Sequence, residues 1–315
     1  MNLKKPILIL TAASAVLLGV LYGPKAVQEI NQIHRDSVVR IEETNIRNVK
    51  NAVLSGDIKR AQAIVYSKNV EFQDRAWVES IDYLLENKKP DKLEEILLVA
   101  GLISNDTKRY NALEKVALNA FPSDESINIL AYINNDTFRF SALQRFADLY
   151  ATKGDYKEAL KVASSIGDVQ QRTSTLASLV QIAVSNKNPD NAYELVATID
   201  ASPTKNTLLE SISKSYIGQG NLNKAIFTAS SIDDYNTRLL FIEEIAKDFI
   251  NAQEWDKSIS IVPFIEDVKM RDAFHEIISD HYNSAGDYKE AFRIAQFISE
   301  DESRKRVLDS IPYHP

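Results

Sequence analysis

The side chains best suited to acid–base or metal chemistry lie close together in one stretch, His275-Glu276-x3-Asp280-His281. The two histidines are six residues apart, which on a helix turns them about 120° away from a shared face, so they are poorly placed to chelate together. Glu276 and Asp280 are spaced i,i+4 and share a face, but acid–base work needs one carboxylate raised by burial; the plainer reading is a solvated face. The chain has no cysteine, which removes thiolate nucleophiles, Cys-ligated zinc, iron–sulfur clusters and disulfides. A Gly-rich phosphate loop, His-Glu-x-x-His and Gly-x-Ser-x-Gly are all missing from the sequence. A formal net charge of −7 gives no basic footprint for nucleic acid. The residues therefore predict no catalytic centre, no metal site and no cofactor, and a chain that is not an enzyme.

The elements carrying these side chains are helical. Nine Gly and nine Pro in 315 residues are about half of average usage, too few for a turn-rich β architecture. An internal repeat is plain: Gly154-Asp155-Tyr156-Lys157-Glu158-Ala159 recurs identically as Gly286-Asp287-Tyr288-Lys289-Glu290-Ala291, 132 positions on, four periods of 33. Ala192, Ala225 and Ser258 occupy the intermediate steps. Isoleucine holds the same period at Ile133, Ile166, Ile199, Ile232, Ile265 and Ile298, closing a helix. A basic residue does so at Arg139, Arg172, Lys205, Arg238, Arg271 and Arg304, opening the next. Tyr150, Ala183, Tyr216, Phe249 and Tyr282 mark where that next helix ends. Upstream the register slips, but Asn105-Asp106-Thr107 with Arg109 parallels Asn135-Asp136-Thr137 with Arg139, and Asp57 with Ala61 suggests a further unit.

The pattern predicts a helix A of about 14 residues and a helix B of about 11, repeated as about seven pairs from Ser55 plus a final helix. Asp136, Asp168, Asp234 and Asp267 stand where an N-cap carboxylate would satisfy free N–H groups of helix A. Gly154, Gly220 and Gly286 suit the left-handed position that ends it. Pro189 and Pro203 fall in first turns, where a missing N–H costs little, whereas Pro263 lies late in a helix B and predicts a kink or early stop. One pair cannot bury its apolar stripe alone, so neighbours must stack.

The run Tyr150-x3-Gly154-Asp155-Tyr156-x2-Ala159-Leu160, and Tyr282 to Phe292 again, resembles the helix A–helix B junction of tetratricopeptide (TPR) repeats. The period is 33 rather than 34, the closing proline is missing, and Ile stands late in helix B where that family carries Ala. The resemblance implies an all-α, right-handed αα-superhelix whose A helices line a groove for a peptide or protein partner. Carried over position by position, the groove residues are Gln144 and Asp148, Gln181, Glu210 and Lys214, Glu243 and Lys247, and Glu276 and Asp280. The Glu210/Lys214 and Glu243/Lys247 pairs are equally explained by i,i+4 helix stabilisation. The basic column reads as ion pairing to the Asp three or four residues before it rather than as a binding edge.

The first residues differ from the rest. Lys4 and Lys5 precede an uncharged apolar run from Ile7 to Tyr22, closed by Gly23-Pro24-Lys25. That run sits at the short limit for a bilayer core of roughly 30 Å, and small residues suited to cleavage occur only at Ala13-Ser14-Ala15, early in the run. Residues 1–24 thus read as a retained single-pass anchor or, alternatively, a cleaved signal, with 25–54 a stalk or first helix and 55–315 the repeat domain. The basic residues favour a cytoplasmic N-terminus, hence a body in the bacterial periplasm. The expectation is an envelope scaffold or adaptor, contacting the membrane through residues 7–22. The alternatives are a glycan-acting enzyme or enzyme subunit on a helical frame and a cytoplasm-facing regulator. Neither oligomeric state nor partner identity is legible.

Overall fold

In a computed structural model the chain is described over residues 12–87 and 92–312, and among these residues every regular element is helical. A 43-residue helix, α1 (Ala12–Leu54), opens the chain. Long A helices then alternate with short B helices. The A helices are α3 (Val70–Glu86), α5 (Asp106–Ala120), α7 (Asp136–Thr152), α9 (Val169–Ser185), α11 (Pro203–Gly218), α13 (Tyr235–Asn251) and α15 (Val268–Ser284). The B helices are α2 (Ile58–Val65), α4 (Leu93–Gly101), α6 (Asp124–Leu130), α8 (Tyr156–Ser164), α10 (Pro189–Val196), α12 (Leu222–Ser230), α14 (Trp255–Ile261) and α16 (Tyr288–Ala295), and α17 (Asp301–Asp309) ends the series. From α3 to α16 this is seven pairs, followed by one closing helix. Two compact units divide the chain, Met1–Arg139 and Phe140–Pro315, with the division falling inside α7.

Helix lengths depart from the sequence expectation. α9, α13 and α15 run 17 residues each, while α14 has seven and α16 eight. Helix A starts early because only one residue separates the buried isoleucine from the cap, as in Ile166-Gly167-Asp168. The turn from A to B is equally short. The residue at the left-handed position is Gly154 (φ 84°), Lys187 (57°), Gly220 (75°), Gln253 (59°) and Gly286 (85°) in five successive units. The next residue donates its N–H to the carbonyl of the aromatic column, as Asp155 to Tyr150 and Asp287 to Tyr282, both at 2.9 Å, the bond that closes a Schellman turn. The side chains of Asp155, Asn188, Asn221 and Asp287 then cap helix B. One residue therefore ends A and starts B.

Asp168, Asp234 and Asp267 cap helix A as the sequence predicts. Asp136 does not: the Asn135 carboxamide accepts from Phe138 N–H at 3.1 Å, and Asp136, already helical, pairs with Arg139. An Asn-Asp pair offers two capping side chains, and the first has the cap position. In α11 the cap moves one place along to Ser202, and Pro203 follows it. Pro263 stops α14 at Ile261, and the chain continues as a 3-10 turn over Val262–Phe264.

The core follows the columns. The six isoleucines from Ile133 to Ile298 are at most 3% exposed, each such burial stabilising by about 1.5–3 kcal/mol. The small-residue column is fully enclosed, and it extends upstream to Ser126, one period before Ala159. In two units a buried serine of helix A donates to the carbonyl of that small residue in helix B: Ser213 to Ala225 and Ser279 to Ala291, each at 2.9 Å.

In the first unit, the last turns of α1 bury Ile46, Val49, Ala52 and Val53, and α1 packs on α2 and α3. α1 is continuous across Gly23-Pro24, while Ile33, Val38, Val39 and Ile41 are exposed. No helix of the described residues is long and apolar enough to cross a membrane. Lys4, Lys5 and the first residues of the apolar run lie outside the described range.

Candidate binding face

The basic column is the first candidate the structure reassigns. Arg139, Arg172, Arg238, Arg271 and Arg304 each donate through a guanidinium N–H to the carbonyl of the column isoleucine six residues earlier, at 2.7–3.1 Å, and Arg109 does the same to Ile103. Only some of them also hold a carboxylate, as Arg304 holds Asp301 and Arg238 holds Glu266. The shared task is to tie down the loop between B and A, which sequence spacing to Asp alone did not reveal. Lys205 makes no such bond, because the shifted Ser202 cap alters that loop.

The positions predicted to line a groove all lie in the second unit. Gln181, Lys214, Lys247 and Asp280 are exposed, Gln144, Asp148, Glu210 and Glu276 are half-buried, and Glu243 is only 7% exposed. Glu243 is therefore a correction: α13 buries Phe241, Ile242, Ile245, Ala246 and Phe249 around it, and it reaches Lys247 at 3.8 Å from inside that stripe. The expected Glu210–Lys214 pair is also absent. Lys214 instead bonds Glu244 of the next A helix at 3.1 Å, and its ammonium lies 5.4 Å from the Phe241 ring.

That bond belongs to a series. Side chains on an A helix and on the next A helix, or on α1 and α17 at the two ends of the series, are joined 29 to 33 positions apart: Lys50 to Glu79 at 2.8 Å, Asp82 to Lys115 at 2.6 Å, Ser178 to Asp148 at 3.0 Å, and Arg306 to Glu276 through a fork of 2.7 and 2.9 Å. Several of the predicted groove residues thus act as struts between repeats. Burial pushes the Asp148 carboxyl up, against the Ser178 hydroxyl. Asp280 is raised by burial and then by Glu276, with Arg306 opposing. Glu79 is held low because Lys50 and Arg75 together outweigh the burial that would raise it. The strut partners were missed because their signal, complementary side chains about one period apart, lies across the repeat rather than along the helix.

A recess between neighbouring A helices is present in the first unit. A groove of about 390 Å³ lies between α3 and α5, with apolar Val78 and Ala112 among its walls. Arg75 and Glu79 line it already paired, and the Asp82–Lys115 bridge borders it. Glu71 and Lys108 line it with no ion pair of their own among the described residues, and Asn111 sits beside them. A second recess, of about 750 Å³, lies among α2, α3 and α4 over Trp77 and carries no charged side chain. His275 and His281 are not brought together: His281 stacks on Trp255 with centroids 3.9 Å apart, while His275 is buried against Phe297. Among the described residues no group of three or more His, Asp or Glu side chains could hold a metal ion.

No family model matches the chain, and no curated protein matches it. Two solved structures align over most of it. Ton1535 from Thermococcus onnurineus NA1 is 11% identical over 85% of this chain and 99% of that one, with a TM-score of 0.23. A circular tandem repeat protein with a novel repeat topology and enhanced subunit contact surfaces is 13% identical over 93% of this chain and 66% of that one, with a TM-score of 0.14. At these scores neither carries an argument. The class rests on the chain's own columns: an all-α protein built from tandem helix pairs.

Proposed function

We propose that this protein is a non-enzymatic adaptor or scaffold whose exposed A-helix faces hold a peptide or protein segment. In this reading the pairs belong to a TPR-like right-handed superhelix, residues 7–22 tether it to a bacterial inner membrane, and the body lies in the periplasm. The observation that carries the proposal is the α3–α5 groove, where apolar Val78 and Ala112 lie beside Glu71 and Lys108, unpaired among the described residues. Such a recess offers a bound segment an apolar seat and two charges of opposite sign, which fix its direction. In the second unit, Gln181, Lys247 and Asp280 offer exposed polar contacts on the same helix class.

A photo-crosslinking residue placed at Asn111 tests this in cells. A discrete protein adduct is expected from Asn111 and not from Ser260 on the exposed side of α14, and its yield should fall when Lys108→Glu and Glu71→Lys are combined. Equal adducts from Ser260, or only glycan or lipid adducts, overturn the reading. For location, a reporter active only outside the cytoplasm is fused after Pro315; an inactive fusion overturns the periplasmic placement.

A further inference from the structure

Eight residues beyond its cap, or seven in α11 with its shifted Ser202 cap, each A helix places a side chain in the core between repeats. That side chain is Trp77, Leu113, Leu143, Leu176, Leu209 and Ile242 in six of the helices, all at most 5% exposed. The equivalent position of α15 is His275, nearly as buried at 6%. Its Nδ1 is shut away from solvent with no hydrogen-bond partner. A histidine has thus been set into a position otherwise held by leucine, isoleucine or tryptophan, with its Nδ1 buried and unpartnered.

The surroundings show what this position controls. His275 lies 5.7 Å from the ring of Phe297, in the segment leading into α17. Asp272, one turn earlier on α15, accepts the N–H groups of Ser299 and Glu300 in that same segment at 2.9 and 3.0 Å. Behind them Val307 and Ile311 close on Ala291, Ala295 and Ile298. The outward side chains of α17, including Glu302, Lys305 and Asp309, are exposed, so α17 carries a polar outer face over an apolar inner one.

The charges that act on His275 are Asp272, which favours its protonation, and Arg271, which opposes it; burial opposes it more strongly than either. The Asp272 carboxylate is already engaged by Ser299 and Glu300. Glu276, next in α15, is held by Arg306 of α17. Glu300 acts electrostatically on Asp272, and Arg293 of α16 stacks on the far partner, Phe297, while bound to Glu290.

We infer that the seat of α17 on α15 is an acid-operated latch: protonation of His275 puts a cation into a leucine position, loosens Phe297 and α17, and uncovers the apolar seat of Val307 and Ile311. The sign follows from linkage. With the ring held below its ordinary 6.5 when α17 is docked, the open form takes up the proton first. Docking is at full strength above about pH 6.5 and weakens as pH falls below it, by up to about tenfold per pH unit for one proton. Asp272 does not contribute in that window, being held below 3.8 when the bonds from Ser299 and Glu300 overcome its burial.

Hydrogen exchange on the full chain, corrected for the intrinsic pH dependence of amide exchange, reads the latch directly. Between about pH 7 and pH 5.5, protection across residues 301–309 should fall several-fold while α9 stays unchanged. His275→Leu should abolish that fall, and His281→Asn should retain it. The same fall in His275→Leu, or none in the wild type, overturns the proposal. Should His275→Leu not fold, the NMR titration of His275 in the wild type decides: a midpoint well below 6.5 supports the latch, and one at or above 6.5 overturns it.

Discussion

At the scale of single residues, the left-handed position that ends helix A carries the clearest prediction, because three of its five occupants are glycine and two are not. Lys187 and Gln253 adopt φ near 60°, a conformation that costs an L residue about 1–2 kcal/mol, and glycine recovers most of that after its own unfolded-state entropy is counted. Lys187→Gly and Gln253→Gly should each raise stability by about 1 kcal/mol, read as a higher urea midpoint at unchanged slope. Gly220→Ala runs the other way. No atom lies within 4 Å of the methyl it would add, so its loss of about 1 kcal/mol should be wholly conformational. Equal midpoints for Gly220→Ala and wild type would contradict this. The arginine column gives a second test at this scale. Arg271→Met keeps the stem but leaves the Ile265 carbonyl without its donor, and should lower stability by about 1 kcal/mol.

At the scale of the element, the enclosed small-residue column decides how closely B approaches A. Ala225 is 1% exposed and its carbonyl is bound by Ser213 of the facing helix, so Ala225→Tyr has no room to relax and should cost roughly 1–3 kcal/mol by overpacking. An unchanged thermal midpoint would mean that the two helices are not held at this distance. This column, the isoleucines and the stop at Pro263 were all readable from spacing, since each follows from one residue's size or backbone. The parts that were not readable depend on two residues competing or cooperating. Asn135 and Asp136 can both cap, and only their placement shows which does. Arg238 has Asp234 within its own helix turn, yet its guanidinium serves the carbonyl of Ile232. Glu243 matches a polar column by period, but the wide apolar stripe of α13 encloses it. The α3–α5 groove was invisible for a related reason: the register slip upstream removed those helices from the aligned columns.

At the scale of the whole molecule, the balance of carboxylates predicts how stability responds to acid. Asp272 sits below 3.8 in the fold, the backbone bonds at the start of α17 prevailing over its burial, and Lys224 and Tyr216 hold Asp190 low. A folded value below the unfolded one means stability that is complete above about 3.8 and lost as pH falls through the folded value. Asp148 is the opposite case, since burial raises it: its ionised form weakens the fold at neutral pH, and that penalty disappears as acid protonates it. Asp148→Asn keeps an oxygen for the Ser178 hydroxyl while removing the charge. It should therefore raise the urea midpoint at pH 7, with the gain shrinking toward zero as the pH approaches 4. Asp272→Asn should lower the midpoint at pH 7, with its deficit holding down to about pH 3.8 and shrinking only below that, because the wild type then loses the carboxylate as well. Denaturation series of the two variants at matched pH would separate these effects: gain and deficit must converge on the wild-type curve from opposite sides, and parallel offsets at all pH values would show that charge is not their cause.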